Sequence, residues 1–402
     1  MATVSKFPGV LVGLLAGAVL TVGAHAQEPI KVGDLNSYTA YAAFTQPYKN
    51  GWKLAQEEIN ANGGVMDREI RVISRDDGGS PADAVSVANE LVRRERIDIL
   101  FGTILSHVGV AVADFAKQNE VMFLAAEPLT DALAWSKGND YTFRLRPGTF
   151  VQAAILAERA AKLDATEWST IAPNYEYGQS AVAAFKAQLK KRRPDVEFIS
   201  EQWPGLGDID AGSVAQSLAS ADPDAIFNVT FGGDLAKFVR EGETRGLFED
   251  RNVVSMLSGE PEWIDPLGAE APEGWIVTGY PWHAIETEAH SEFRDAYQKR
   301  FDDYPRMGSV VGYVALHSIA KAIRKADSTE PEAVLAAMED MEMDTPFGPT
   351  TYRAIDNQSN MGTFVGRLTV QDGKPRMVDW TYKHGSEYLP SDARVRELRA
   401  GE

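Results

Sequence analysis

Polar side chains follow two buried strands in the first third of the chain. Ser106 comes shortly after a predicted strand at 97–101, and Glu127 and Thr130 hold the same position after the strand at 121–125. In an open parallel sheet, ligands bind beyond the carboxyl ends of the strands. Hydroxyl groups and the N–H groups of a helix N-terminus can hold a carboxylate there. A second interpretation stays open, in which Ser106 and Thr130 only cap helices.

The second half of the chain repeats this arrangement with aromatic and acidic residues. Tyr177 stands between a strand and a helix, and Phe231 follows the strand at 225–229. Glu260 follows the strand at 253–257. A carboxylate pairs with an ammonium group, and aromatic faces attract cations. Because all three side chains stand at strand ends, we expect them to face one cleft, although Glu260 taken alone also fits a surface or capping acid.

Catalytic and metal-binding signatures are missing from the sequence. There is no phosphate-binding loop, no dinucleotide fingerprint and no Gly-x-Ser-x-Gly motif. Ser318 and Lys321 match Ser-x-x-Lys formally, but they lie within an amphipathic helix. The histidines lack metal-ligand spacing, and there is no cysteine. We therefore expect a binding protein with no catalytic residues, metal or cofactor; an exported hydrolase is the weaker alternative.

The charge balance narrows the class of partner. The 402 residues carry a formal net charge of −18, with 24% charged and 44% hydrophobic residues. These proportions are ordinary for a globular protein, and the length suits two domains. A strongly acidic surface argues against nucleic acid and against anionic membranes as partners. The charge balance says nothing direct about a small ligand, since a local site can differ from the overall field.

The first 26 residues read as a signal peptide. Lys6 is followed by an uncharged apolar stretch at 10–22, and Ala24 and Ala26 give the small-x-small pattern of a cleavage site. We expect export and cleavage after Ala26. An uncleaved membrane anchor is the alternative, but the stretch is short for a membrane span.

After the leader, strands and helices alternate in two successive runs. The first run covers predicted strands at 30–35, 70–74, 97–101 and 121–125, with helices between them. The second begins with a helix at 150–162 and continues to a strand at 274–279, before long helices and an antiparallel ending. Such alternation is typical of parallel sheets covered on both faces. We predict two doubly wound α/β lobes, with the stretch at 144–148 crossing between them.

Several segments of this sequence resemble the leucine/isoleucine/valine-binding family of periplasmic binding proteins. They are Gly-Trp-Lys-Leu-Ala at 51–55, Ile-Asn-Ala-Asn-Gly-Gly-Val at 59–65, Arg-Asp-Asp at 75–77, Gly-Thr-Ile-Leu-Ser at 102–106 and Tyr-Glu-Tyr-Gly at 175–178. The resemblance covers nearly the whole chain after the leader. It implies two lobes joined by three hinge crossings near Pro147, Pro281 and Pro346. Lobe 1 would then hold residues 27–147 and 282–346, and lobe 2 residues 148–281 and 347–402.

The resemblance also implies roles for individual residues. Ser106 and Thr130 would bind the ligand carboxylate and Glu260 its ammonium group. The other implied contacts are Ala126 in the carboxylate loop, Tyr177 and Phe231 in the second lobe, and Tyr41 near the side-chain pocket. Three features depart from the family pattern: Asn-Ser-Tyr at 36–38 replaces a usual Ser-Gly, Glu127 enters the carboxylate loop, and His107 follows Ser106.

These departures leave the ligand open. An amino acid is expected first, with an aromatic acid, an amide or urea as alternatives. The resemblance further implies a periplasmic monomer that delivers its ligand to the permease subunits of an ABC importer. A module that senses a ligand for a membrane receptor is the other role that this fold serves.

Overall fold

The computed structural model describes residues 1–5 and 28–400. The cleavage site and apolar stretch of the predicted signal peptide lie outside the described residues. From Ile30 onward the chain builds two separate sheets and one small hairpin.

The first sheet has five strands, all parallel, in the order β2-β1-β3-β4-β5. Its strands are Ile30–Asn36 (β1), Ile70–Asp76 (β2), Ile99–Gly102 (β3), Phe123–Ala125 (β4) and Thr142–Arg144 (β5). Helices Ala42–Ala61 (α1), Pro81–Glu90 (α2) and Ser106–Asn119 (α3) connect them. The Ser80 hydroxyl accepts a hydrogen bond from the Asp83 amide and so caps the start of α2.

The second sheet has seven strands in the order β14-β13-β10-β9-β8-β6-β7. The strands are Glu167–Ile171 (β6), Glu197–Gln202 (β7), Ala225–Asn228 (β8), Asn252–Gly259 (β9), Ile276–Gly279 (β10), Thr363–Gln371 (β13) and Lys374–Lys383 (β14). The helices that follow or flank them are Thr149–Ala160 (α4), Glu176–Arg192 (α5), Ala211–Ala221 (α6), Gly232–Thr244 (α7) and Pro261–Ile264 (α8). Only the last two strands pair antiparallel, as the sequence predicted for the ending.

Three further helices and a hairpin precede β13, and one helix ends the described chain. They are Glu288–Phe301 (α9), Met307–Ala326 (α10), Pro331–Met338 (α11), the hairpin strands Met341–Thr345 (β11) and Gly348–Tyr352 (β12), and Asp392–Ala400 (α12). Helix α10 lies against α1, so this part of the chain returns to the first sheet. The predicted class, two α/β lobes of the type I periplasmic binding protein fold, is confirmed.

The chain passes between the sheets after β5, after β10 and before β13. Near the first passage, the Arg144 amide donates to the Asn357 carbonyl and the Ser359 amide donates to the Arg144 carbonyl, each at 2.9 Å. Pro346, which the resemblance placed at the third crossing, lies instead in the turn of the β11–β12 hairpin. This arrangement favours a third crossing nearer to 357–359, while the division of the chain into lobes stays a prediction.

Glycines set the closest approach of α1 and α10. A Cβ atom on Gly312 would lie 2.1 Å from the Tyr48 carbonyl oxygen, and one on Gly51 would lie 2.0 Å from the Ser309 carbonyl oxygen. Both obstacles are backbone atoms, so no side-chain rotation relieves the clash. The two helices therefore pack at this distance only because neither position carries a side chain.

We expect Gly312→Ala to lower the free energy of unfolding by about 1–3 kcal/mol, because the two helices must separate to admit a methyl group. Urea denaturation would measure it. Gly233→Ala is the matched control, since no atom lies within 4 Å of a Cβ there and its φ is ordinary. An unchanged unfolding midpoint for the Gly312 variant would contradict this account of the packing.

Candidate functional site

A pocket lies where the carboxyl ends of the two sheets face each other. The space between its lining atoms, counted together with the part that is open to solvent, is about 310 Å³. Residues that follow β3 and β4 form one side: Ile104, Leu105, Ser106, Glu127 and Leu129. Residues within β9 or beyond β6, β8 and β9 form the other: Tyr175, Tyr177, Phe231, Leu257 and Trp263. Both lobes therefore contribute to one binding space, as expected of strand ends in open parallel sheets.

Ser106 is the first residue of α3, and its side chain braces the neighbouring loop. The hydroxyl oxygen accepts hydrogen bonds from the amides of Leu129 at 3.3 Å and Thr130 at 3.2 Å. It makes no capping bond to its own helix. With its oxygen used as an acceptor, the hydroxyl hydrogen stays available to donate into the pocket. Together with the positive end of α3, it forms a place suited to an anionic group.

A buried arginine joins the two sides of the site. One guanidinium nitrogen of Arg146 donates to Oε1 of Glu127, and the other donates to Oε1 of Glu260 at 2.5 Å. All three side chains are buried, with exposed fractions of 1% for Arg146, 4% for Glu127 and 1% for Glu260. Trp263 donates its indole N–H to the second oxygen of Glu260 at 3.0 Å. Both carboxylate oxygens of Glu260 are thus engaged by the protein.

Burial dominates the electrostatics of this cluster. Burial raises the pKa of Glu127 well above its usual value, although the Arg146 charge opposes the shift. Burial likewise raises the pKa of Glu260, again against Arg146. For Arg146, burial alone would lower the pKa, but Glu127 and Glu260 outweigh it and raise the pKa. The guanidinium is therefore firmly charged, and the carboxyls compete for its single positive charge.

Glu262 is a third buried carboxyl beside this cluster, and it reaches across to the other lobe. Its oxygens accept hydrogen bonds from the amides of Met307 at 3.1 Å and Gly308 at 2.9 Å, at the start of α10. Burial, followed by the charge of Glu260, raises the pKa of Glu262 to about 8, while the two amides act to lower it. An acid at a helix N-terminus satisfies amides that have no partner in the helix.

Aromatic rings form most of the second wall. The ring of Phe231 lies 5.8 Å from that of Tyr177 and 5.6 Å from that of Trp263, measured between centroids. Tyr175 lies 6.0 Å from Tyr177. These rings face the Ser106 side of the pocket, so a ligand there meets an apolar, polarisable surface on one side and polar groups on the other.

Four of the eight residues that the sequence singled out line the pocket: Ser106, Glu127, Tyr177 and Phe231. Tyr41, Ala126 and Glu260 are not among the lining residues. The ring of Tyr41 lies 5.9 Å from that of Phe231, and the amide of the buried Ala126 donates to the Gly102 carbonyl. Glu260 is buried and bonded to Arg146 and Trp263. The ligand contacts predicted for all eight residues stay predictions.

Thr130 is tied to the protein instead of facing the pocket. Its hydroxyl donates to Oε1 of Glu176 at 2.8 Å and accepts from the Ala132 amide at 3.3 Å. The capping interpretation is thus the one seen for Thr130, at the short helix Asp131–Leu133. Its bond to Glu176 also joins the loop after β4 to the start of α5, across the cleft.

Sequence reasoning missed Trp263 and Leu257, which line the pocket, and Arg146 and Glu262, which belong to the buried charge cluster beside it. Arg146 was placed on a crossing strand but given no role. Leu257 has a positive φ of 68°, and Thr103, just before the pocket-lining Ile104, has 48°. Residues other than glycine rarely adopt this backbone conformation, and those that do cluster at ligand sites. No pattern in the sequence marks these two positions.

Two other features, a metal-binding cluster and a membrane-spanning helix, are not found in the part of the chain that the structure describes. Among residues 1–5 and 28–400, no cluster of three or more candidate ligands for a metal ion occurs. None of the helices within these residues is both long enough and apolar enough to cross a membrane.

The fold and the shared pocket are those expected of a two-lobed binding protein with a candidate ligand site between the lobes. The sequence model of the family described as periplasmic binding protein matches residues 29–374. The chain therefore belongs to this family, and the resemblance stated from the sequence is confirmed. It is a family of solute-binding proteins and not of enzymes.

Relatives agree with this assignment over almost the whole chain. The "Leu/Ile/Val-binding protein homolog 7" of Brucella suis biovar 1 (strain 1330) is 26% identical over 384 residues, which is 90% of this chain and 94% of the relative. A solute-binding protein of an ABC transporter from Rhodopseudomonas palustris HaA2, solved with p-hydroxybenzoic acid, superposes with a TM-score of 0.80 at 21% identity, covering 92% of this chain and all of the other. A leucine-, isoleucine-, valine-, threonine- and alanine-binding protein from Brucella ovis, in a closed conformation, gives a TM-score of 0.79 at 19% identity and 90% and 97% coverage.

We expect Arg146→Met to destabilise the protein by about 3–5 kcal/mol, because it leaves buried carboxylates without their cation. Urea unfolding at pH 7 would measure the loss. Arg245→Met is the control: Arg245 forms an exposed pair with Glu241 on α7, and such pairs contribute less than about 1 kcal/mol. Equal effects of the two substitutions would argue against a structural role for the buried pair.

We expect Glu262 to make the folded state less stable as pH rises. Its pKa is raised from about 4.5 to about 8 by folding, so the folded protein holds this proton to higher pH than the unfolded chain. The stabilisation is full below about pH 4.5 and is lost as pH rises towards about 8, with a slope of at most about 1.4 kcal/mol per pH unit.

Urea unfolding at pH 5, 6, 7 and 8 tests this dependence. Glu262→Gln should flatten the fall in stability across this range, whereas Glu270→Gln, an exposed position, should keep the wild-type slope. A steeper fall in the Glu262 variant would show that the sign is wrong.

Proposed function

We propose that this protein is the periplasmic receptor of an ABC importer. It binds a small polar solute, an amino acid in the first place, between its lobes and closes on it by a hinge motion. No bond of the solute is made or broken. The protein acts as an exported monomer, and its closed form docks on the permease subunits of the importer in the inner membrane.

The observation that carries this proposal is that both lobes line one pocket. Ser106 and Glu127 come from one side, and Tyr177 and Phe231 come from the other. A ligand that contacts both sides at once has more contacts in the closed form than in the open form. It therefore shifts the population towards closure, which is the signal that a receptor must pass to a transporter.

Contacts between the lobes support a hinge-closed state. Besides the Thr130–Glu176 bond, the Asp131 amide donates to the Ser180 hydroxyl at 3.2 Å. On the opposite side of the cleft, the Tyr304 hydroxyl donates to Asp265 at 2.6 Å. Water can replace these rim bonds when the lobes open, whereas the buried bonds of Glu262 to the start of α10 must also be broken.

The solute class follows from the two walls of the pocket. The Ser106 hydroxyl and the N-terminus of α3 suit a carboxylate, and the aromatic wall suits an apolar body. Relatives whose names specify branched-chain amino acids favour an amino acid. The p-hydroxybenzoic acid in the R. palustris structure, together with the aromatic wall, makes an aromatic acid the second candidate.

Thermal unfolding of residues 27–402 in the presence of amino acids, aromatic acids, amides and urea tests the proposal. A ligand that binds only the folded state stabilises it by about 2.7 kcal/mol at one hundred times its Kd, so the midpoint should rise with concentration. The fluorescence of Trp263, which lines the pocket, should change in parallel. Turnover of any of these compounds would contradict the proposal. An unchanged unfolding midpoint with every compound tested would reject the solute classes named here.

We expect Ser106→Ala to weaken carboxylate ligands by about 5- to 100-fold, since the variant loses a hydrogen bond to a charged group. Isothermal titration with the best ligand of the screen measures the change in Kd. Ser213→Ala removes an exposed hydroxyl in the first turn of α6 that does not line the pocket, and it should leave Kd unchanged. An unchanged Kd in the Ser106 variant would remove this residue from the site.

A further inference from the structure

Glu127 carries a buried oxygen that no protein group satisfies. Its Oε1 accepts from Arg146, but its Oε2 has no hydrogen-bond partner among the described residues. The side chain is 4% exposed and lines the pocket. A buried acceptor without a donor is costly, so such an atom in a binding space indicates a donor that arrives with the ligand.

We propose that Glu127 selects the solute, and that the pocket takes solutes with a positively charged nitrogen, a primary ammonium above all, bound to this free oxygen and enclosed by the aromatic rings. The inference rests on the proposed function and narrows its ligand class. It also moves the ammonium site from Glu260, where the family resemblance placed it, to the loop on the other side of Arg146.

Glu260 is not free to receive the ammonium group. One of its oxygens accepts from Arg146 at 2.5 Å and the other from Trp263 at 3.0 Å. It is not among the residues that line the pocket, whereas Trp263, which donates to it, is. A ligand nitrogen would have to displace one of these donors to reach it. Glu127 needs no such displacement.

The charge count around the pocket favours a cation. Three buried carboxyls, Glu127, Glu260 and Glu262, share one buried guanidinium, Arg146. Of the described residues that line the pocket, none is lysine or arginine. Burial raises the pKa of all three carboxyls, that of Glu262 to about 8, so one guanidinium does not keep them all ionised. A ligand ammonium group supplies a second cation beside Glu127, a ligand with only a carboxylate supplies none, and an amino acid brings both groups.

The aromatic wall is suited to the same nitrogen. Rings of tyrosine, phenylalanine and tryptophan attract an ammonium group over their faces, more strongly where water is excluded. Tyr175, Tyr177, Phe231 and Trp263 all line the pocket together with Glu127. The Tyr177 hydroxyl is buried and has no partner among the described residues, so it offers a second acceptor for the ligand N–H groups.

Matched ligand pairs test the inference on residues 27–402. Leucine is compared with 4-methylpentanoate, and phenylalanine with 3-phenylpropanoate, each pair differing only in the amino group. We expect isothermal titration to give at least 10-fold tighter binding for the amino acid of whichever pair fits the pocket. Glu127→Gln should weaken that amino acid about 10- to 100-fold and narrow the gap to the amine-free acid.

Glu260→Gln is the discriminating variant. It changes a carboxylate that is bonded to the same guanidinium as Glu127. A general loss of charge or of stability should therefore affect Glu127→Gln and Glu260→Gln alike. The urea unfolding midpoint of each variant reports its stability. We expect Glu260→Gln to keep the preference for the amino group within about threefold of the wild type. If instead this variant abolishes the preference and Glu127→Gln keeps it, the inference is overturned.

Wild-type behaviour separates the inference from the proposed function. Equal binding of an amino acid and its amine-free partner overturns the role of Glu127 and leaves the solute-binding proposal standing. If none of the compounds with a positively charged nitrogen binds, the role of Glu127 is overturned as well. The broad screen above tests the solute-binding proposal separately.

Proton release gives an independent measurement. Burial raises the pKa of Glu127, and a cation bound beside it acts to lower that pKa, so binding favours the loss of a proton from this carboxyl. Titrations of the wild type in two buffers of different ionisation enthalpy should show release on binding of the amino acid. The release should disappear in Glu127→Gln. Proton uptake, or a release unchanged in the variant, would count against the proposal.

Discussion

The bond between Arg146 and its two glutamates is the constraint on which the site depends. Arg146 lies on the first stretch of chain that runs from one sheet to the other. It holds Glu127, from the loop after β4, and Glu260, from the loop after β9. Removing three charges from water is expensive, and only close pairing compensates for it. The loops that carry the two carboxylates must therefore stay in register with the crossing strand.

This constraint gives the cleft a fixed centre and a movable rim. The crossing strand is held by backbone bonds to the segment around Asn357 and by the Gln358 side chain, which donates to the Arg146 carbonyl at 3.1 Å. The rim contacts, such as Thr130 to Glu176, are single hydrogen bonds near solvent. Glu262 is intermediate, because its bonds to the start of α10 are buried and bring a carboxyl of one lobe to a helix of the other. The rim bonds therefore contribute little to the free energy of closure, and the contacts of the ligand at the centre determine how far the closed form is populated.

The sequence predicted the architecture well because the architecture is periodic. Alternating strands and helices and the antiparallel ending are local patterns, and each reflects a physical preference of a short segment. Strand ends then located the pocket, and four of the eight chosen residues line it. The β11 strand was missed although its buried and exposed residues alternate, since five residues give a weak signal.

The sequence did not predict the buried charge network around Arg146, and the reason is different. Arg146 pairs with residues 19 and 114 positions away, and nothing in the local sequence distinguishes it from a solvated arginine. For the same reason Glu260 was read as a free acid, although its proximity to Glu262 was visible. Pairing of buried charges depends on which loops the fold brings together, and one sequence shows the loops but not their contacts.

Relatives that share this fold are described with ligands as different as branched-chain amino acids and p-hydroxybenzoic acid. The sheets fix where strand ends meet, whereas the loops beyond them supply the chemistry, so the fold alone does not determine the solute. In this chain the loop after β4 carries an acid that faces the pocket with one oxygen unsatisfied. An unpaired acceptor discriminates more strongly than an apolar wall, because a ligand that lacks the donor leaves the acceptor buried without a partner. The specificity of this protein should therefore lie mainly in Glu127, and the aromatic wall should set how tightly the selected ligand is held.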